Sequence, residues 1–170
     1  MRLNKKYLRH LLTDKSEPRQ VVQMISASEW EEVTKVILGF RDASVPPEYH
    51  RSYSMTFSPN NSKIEVASYD MILVTYEHAI SCDEFVRLKD TLRRQRIRKV
   101  RKKDSGMTGG FGGYVCLKME DEFLFSAYIY GNSGITDGDL SFDGFLFESA
   151  YSAFPWLEGK IEEMVKRSFT

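Results

Sequence analysis

The sequence predicts an α+β fold, an antiparallel sheet of about five to seven strands with helices packed mainly on one face. Three observations carry this. Residues 113 to 131, GYVCLKMEDEFLFSAYIYG, alternate apolar and polar residues around an acidic turn, as two paired strands do. Residues 53 to 76 hold three more alternating runs, the first two separated by the turn sequence SPNNS. Two capping boxes, Ser28 with Glu31 and Ser81 with Glu84, each precede an apolar stripe at helical spacing.

Residues 1 to 18 read as an arm or short helix, with Leu3, Tyr7, Leu8, Leu11 and Leu12 at helical spacing, ahead of a single domain over 19 to 170. Arg19 to Ile25 is rich in β-branched residues and predicts a strand. The first capping box opens a helix carrying Trp30, Val33, Ile37 and Leu38, which stops at Gly39. Pro46 and Pro47 forbid a regular element, and strands follow at Tyr53 to Phe57, Lys63 to Tyr69 and Met71 to Tyr76. The second box opens a helix with Phe85, Leu88 and Leu92 on one face, fraying near Gln95. Residues 96 to 103, RIRKVRKK, then set Ile97 and Val100 among cations in the manner of a charge-protected edge strand.

The central hairpin follows a glycine-rich turn, Ser105 to Gly113. With Glu120, Asp121 and Glu122 as its loop, Val115, Leu117, Met119, Phe123, Phe125, Ala127 and Ile129 share one face. The opposite face then carries Tyr114, Cys116, Lys118, Leu124, Ser126, Tyr128 and Tyr130, an amphipathic set suited to partial solvation or to cover by a helix. GNSGITDGDLS reads as a polar loop, and residues 142 to 154 fit a helix through Phe142, Phe145, Leu146, Ala150, Ala153 and Phe154, with Phe145 and Phe147 also fitting a strand. Pro155 suits the first position of a closing helix with Leu157, Ile161, Met164 and Val165 on its apolar face.

A chain of 170 residues with 42% hydrophobic and 28% charged residues buries a full core without disulfides or metals. The N-terminus lacks the apolar segment of a signal peptide, and no run approaches a membrane span, so the expectation is a cytoplasmic chain, or one lacking its targeting segment, with no membrane partner. Two cysteines and three histidines offer little for a zinc site, and no cofactor is expected. The net charge is zero but uneven, since Lys89 to Asp104 holds nine Lys or Arg against two Asp and leaves the rest of the chain at minus seven.

Four features bear on chemistry. The cations Arg93, Arg94, Arg96, Arg98, Lys99, Arg101, Lys102 and Lys103 could meet phosphates, although no aromatic residue lies between Phe85 and Phe111 to stack on bases. The glycine-rich turn matches neither GxGxxG nor GxxxxGK followed by Ser or Thr, and it precedes a strand where those motifs precede a helix, so it reads as a turn or rim. Glu77 and His78 stand near Cys82 at a helix start, the arrangement of a nucleophile with its base. Asp139 to Ala150, DLSFDGFLFESA, resembles the calcium loop of the EF-hand family over about six positions, and the resemblance implies Asp139, Ser141 and Asp143 as metal ligands, with Gly144 at the turn and Leu146 at the apolar eighth position. It departs at the twelfth position, where Ala150 replaces the bidentate Glu, and upstream, where strand and loop replace a helix.

The leading expectation is a non-enzymatic protein-interaction domain of bacterial type, comparable to inhibitor or immunity-like proteins of this size class, that binds another protein through a charged surface. The eight cations serve an acidic partner, while Glu120, Asp121, Asp137 and Asp139 serve a basic one. The alternative is a nucleic-acid-binding module on the same cations, and a third reading is a cysteine-dependent enzyme using His78 and Cys82. The oligomeric state is not set by any of these features.

Overall fold

The structure, a computed structural model, describes residues 21–106, 110–120, 122–131, 136–142 and 146–170. Among the described residues the chain runs β1 (Val21–Met24), α1 (Ala27–Glu32), β2 (Lys35–Arg41), β3 (Ser52–Ser58), β4 (Asn61–Ser68), β5 (Met71–Ala79), α2 (Cys82–Arg93), β6 (Arg98–Lys103), β7 (Gly112–Met119), β8 (Glu122–Tyr130), β9 (Thr136–Ser141), α3 (Leu146–Ala153) and α4 (Leu157–Arg167). The strands form one sheet in the order β1-β6-β9-β8-β7-β2-β3-β4-β5, and every neighbouring pair is antiparallel. Two meanders of consecutive strands, β2 to β5 and β7 to β9, meet at the β2–β7 seam.

The sheet has nine strands where the sequence predicts five to seven, because two segments read as helix and loop are strands. Residues 35 to 41 bury Val36, Leu38 and Phe40 at every second position, so the apolar run follows the period of a strand. Ile37 and Leu38 satisfy both periods, which is why the run also fits a helix. The capping box is Ser26 with Glu29, two residues earlier than expected, and the helix it opens has six residues with Trp30 buried. Residues 136 to 141, TDGDLS, carry almost no apolar signal. They pair with β8 and β6, and Leu140 is their buried anchor. The basic strand β6 is therefore an interior strand, between β1 and β9, and not an edge.

The central hairpin reaches the expected facing from Leu117 and Phe125 outward, but not at its tip, where Phe123 pairs with Lys118 and Leu124 packs against the core. Met119 pairs with Glu122 across the turn at positions 120 and 121, so the loop has two residues, with Glu120 in the left-handed region at φ 51°. A two-residue loop alone would split the apolar set between the two faces. Leu117 pairs with Phe125 but Lys118 with Phe123, and this one-residue bulge in β8 restores the parity. Val115, Leu117, Ala127 and Ile129 are buried together, while Tyr114 pairs with Tyr128 and Cys116 with Ser126 on the other face. Gly112 and Gly113, read as part of a turn, already belong to β7.

The second capping box, Ser81 with Glu84, stands as expected, with Phe85, Leu88 and Leu92 buried. In α4, Leu157, Ile161 and Met164 are buried, and Pro155 lies ahead of the Trp156 cap instead of inside the first turn. The arm at 1 to 18 lies outside the described residues.

Strand and helix residues form one apolar core. Phe154 stacks on Phe57 with ring centroids 5.0 Å apart, and Phe147 approaches Tyr53 at 6.1 Å, which seats α3 and the chain after it on β3. Each fully buried side chain of this size contributes about 1.5–3 kcal/mol. Arg51 fastens the end of α4 to the start of β3. Its guanidinium donates to the Ser168 carbonyl at 2.7 Å and the Ser168 hydroxyl at 2.8 Å, and lies 4.0 Å from the Phe169 ring centre.

Gly138 has φ 105°, and an added Cβ would lie 2.3 Å from the Ser126 carbonyl oxygen, whereas at Gly39 it would meet only the phenol end of Tyr114. Gly138→Ala should lower stability by about 1–3 kcal/mol in urea unfolding. Gly39→Ala should remain folded and move the Tyr114 ring, seen as a change in tyrosine fluorescence. Equal losses for the two variants would contradict this packing.

Candidate functional site

The face of the sheet opposite the Val36, Val115 and Ile129 side forms an open groove of about 820 Å³. Its floor follows from register. Across the middle of the sheet run Asp137, Tyr128, Tyr114, Gly39, Ser54 and Glu65, one from each of β9, β8, β7, β2, β3 and β4. Beside them lie Gly112, Arg41, Ser52 and Ala67 on one flank, and Cys116 and Ser126 on the other. Glycine, alanine and serine leave the sheet without tall side chains here, and that is what hollows the groove.

Two tyrosines occupy the space the glycines leave. The Tyr114 ring lies across Gly39, its directly paired neighbour, and the Tyr128 ring lies across Gly112, a diagonal neighbour on β7. Aromatic rings over strand glycines shield backbone that would otherwise be bare. Tyr130 meets Tyr128 edge to face with centroids 4.7 Å apart. Burial pushes the Tyr114 and Tyr128 hydroxyls above the usual phenol range, while Ser54, hydrogen-bonded to Tyr114, and the nearby Arg41 pull in the opposite direction. Tyr130 is raised by burial and by Asp137. All three rings therefore present neutral hydroxyls at pH 7.

The rim is built by polar contacts. Asp42 accepts from the Ala43 and Arg51 backbone N–H groups at 2.8 and 3.0 Å, Asp137 accepts from the Ser105 N–H at 2.8 Å, and Glu65 pairs with Lys63 at 2.6 Å. His50 is buried, stacked on Tyr69 at 3.9 Å, and its Nδ1 accepts from the Tyr69 N–H at 2.9 Å. That bond holds the β4–β5 turn, in which Tyr69 has φ 52°. A non-glycine residue in that region costs about 1–2 kcal/mol, which the His50 contacts offset.

His50, Ser52 and Asp42 stand close enough to invite comparison with a nucleophile, base and orienting acid. The tautomer excludes that role. Because Nδ1 accepts from a backbone N–H, the neutral imidazole carries its proton on Nε2, the atom 3.4 Å from the Ser52 hydroxyl. It can donate to Ser52 but cannot take a proton from it. Cys116, the thiol in the groove, is pushed up by burial and so stays protonated.

Cys82, His78 and the cations singled out from the sequence lie outside the groove lining. Cys82 is exposed and its thiol donates to the Asn60 side-chain Oδ1 at 3.4 Å. His78 contacts the Trp156 ring at 4.5 Å and the Tyr76 hydroxyl at 3.3 Å, and no hydrogen bond joins it to Cys82. The pair is separated because His78 ends a strand while Cys82 opens a helix beyond the Ile80–Ser81 turn. The cations differ in their surroundings. Arg93, Arg94 and Arg96 are exposed at the end of α2 and in the turn after it, Arg101 and Lys102 are exposed at the far end of β6, and Lys99 between them is held by Glu29 at 2.6 Å. Arg98 reaches Ser141 at 3.3 Å, and the side chain of Lys103 lies outside the description.

Asp139 and Ser141 are two residues apart in an extended strand, where the calcium reading needs a coiled loop, and Asp139 accepts from the Ser126 N–H at 2.6 Å. Asp143 lies outside the described residues. Among the described residues no group of three or more His, Cys, Asp or Glu side chains is arranged to hold a metal ion. Of the acidic set, Asp137 and Asp139 share the groove face of β9, and Glu120 is at the hairpin turn, its N–H bonded to Thr34. The groove residues Tyr114, Cys116, Ser126 and Tyr128 belong to the half-solvated hairpin face the sequence shows. Gly39 joins them through its pairing with Tyr114 across strands distant in sequence, and brings with it Ser54 and Glu65 from the neighbouring strands β3 and β4.

Burial holds the His50 pKa below its ordinary 6.5, so the fold favours the neutral ring and the unfolded chain binds the extra proton. Stability should fall as pH drops from about 6.5 through the lower folded value. Asn at position 50 keeps an acceptor for the Tyr69 N–H but does not titrate. His50→Asn should flatten the change in urea midpoint between pH 7 and 5, and an unchanged slope would refute the assignment.

Among the described residues no helix is long and apolar enough to cross a membrane. Compared with known protein families, curated proteins and solved structures, the chain shows no significant match to any of them.

Proposed function

We propose that this chain is a non-enzymatic partner-binding domain whose working surface is the tyrosine-floored groove. The observation that carries this reading is the joint placement of Tyr114 and Tyr128 over Gly39 and Gly112, in a groove whose lining also includes the small residues Ser52, Ser54, Ala67 and Ser126. Tyrosine offers a large, rigid contact area with a polar tip, and is enriched where proteins meet. Rings held by their own sheet lose little freedom when a partner covers them. We read the helices as supporting the sheet from its other side, so that this face stays open to a partner. An inhibitor or immunity-like role fits a small chain that acts by covering part of another protein.

The nucleic-acid reading draws on fewer residues than the sequence suggests, since Lys99 is engaged with Glu29 and Arg98 reaches Ser141. A capture experiment separates the two. Ala67→Trp fills the groove from β4, and Arg101→Glu with Lys102→Glu reverses the exposed end of β6. Protein captured from a lysate of the source organism should be retained by the β6 variant, insensitive to nuclease, and lost at least tenfold by Ala67→Trp. Capture lost in the β6 variant or on nuclease treatment would overturn the groove as the working surface. Circular dichroism of each variant checks that it is folded.

A further inference from the structure

The groove has a charge preference that its overall neutral chain conceals. Among the described charged side chains in and directly paired to it, Arg41 and Lys63 face Asp42, Glu65, Asp70 and Asp137, an excess of two negative charges. His50 does not redress this, because it is buried and neutral at pH 7. The acids are spread along the rim instead of gathered at one point. Asp137 stands at the β9 end beside Tyr128 and Tyr130, and Asp42 and Asp70 stand at the opposite end by the β4–β5 turn. Asp70 is exposed.

Resting on the reading of this groove as the binding surface, we propose that its partner inserts a basic protein segment, with arginine or lysine side chains lying on the tyrosine floor between the acidic ends. Two physical terms favour a cation here over an anion. Negative charges across a concave face concentrate positive groups and speed their encounter. Tyrosine rings attract a cation placed over their faces, and a guanidinium stacks there while its N–H groups reach carboxylates at the side. The row from Glu65 on β4 to Asp137 on β9 spans five strand spacings, about 24 Å, which an extended segment of about seven residues covers. Arg41, the one Arg or Lys among the described groove-lining residues, lies near Tyr114 and Tyr128 and repels a cation from its own flank, which leaves the Glu65 and Asp137 ends as the places for the cationic side chains.

The test uses the whole chain labelled with ¹⁵N and a heptapeptide with arginine at its first, third, fifth and seventh positions, which share one face of an extended chain, spaced by glycine and serine. Two counterparts carry citrulline or glutamate at the same positions. The arginine peptide should shift the amides of Tyr114, Tyr128 and Ser54, the citrulline peptide should bind at least fivefold more weakly, and the double variant Asp70→Asn with Asp137→Asn should weaken the arginine peptide by a similar factor. Binding of the arginine peptide should also weaken with salt. Equal binding of the citrulline peptide, tighter binding of the glutamate peptide, or arginine-peptide shifts confined to other surfaces would each overturn the proposal. If Ala67→Trp abolishes partner capture while the arginine peptide leaves the groove amides unmoved, the cationic ligand is wrong and the groove stands. If Ala67→Trp leaves capture intact, the groove itself is wrong.

Discussion

The register between β2 and β7 is the constraint on which the rest of the molecule depends. These strands join two locally formed meanders, and seven residue pairs from Lys35–Lys118 to Arg41–Gly112 set how the halves align. The Thr34 N–H, donating to the Lys118 carbonyl at 2.9 Å, and the Glu120 N–H, donating to the Thr34 hydroxyl at 2.7 Å, extend the seam past the end of β2. A slip of one residue would turn Val115 and Leu117 to solvent and Tyr114 into the core. It would also part Gly39 from Tyr114, so the same register that closes the core shapes the groove.

Core and groove are the two sides of one alternation. On β2, Val36, Leu38 and Phe40 face inward with no more than 2% exposure, and Gly39 between them faces outward. On β7, Val115 and Leu117 are inward, and Tyr114 and Cys116 outward. A residue chosen to be small on the outer side costs the core nothing, because strand neighbours point in opposite directions. The outer face can therefore be hollowed without loosening the packing beneath it.

Much of this was legible in the sequence where the determinants are local. The β3–β4–β5 meander, the capped helix α2 and the two faces of the central hairpin all depend on residues within a turn or two of one another. The failures share one physical origin. Lys35 to Arg41 holds two adjacent apolar residues that fit either period, and only pairing on both sides, with β3 and β7, makes it a strand. Thr136 to Ser141 is polar enough to read as loop, and becomes a strand because β8 and β6 offer it a place on each side. The groove was half visible, in the alternate tyrosines of β7 and β8. Gly39, which looked like a helix stop, enters it through its pairing with Tyr114 on β7, which no local pattern encodes, and the β3–β4 hairpin comes to it through β2. The basic run misleads in the opposite direction, since its continuity in sequence hides the engagement of Lys99 with Glu29.

The distance along the chain between the seam's two strands has a consequence for biosynthesis. As the chain leaves the ribosome, β2 through β5 can assemble as soon as residue 79 is free, whereas β7 follows some forty residues later. Until then the KVILGF segment presents an apolar strand with one unpaired edge, the kind of surface that recruits a second nascent chain or a chaperone. The hazard of this architecture thus lies in the interval of synthesis between the two halves, and slow elongation through α2 and β6 would lengthen it.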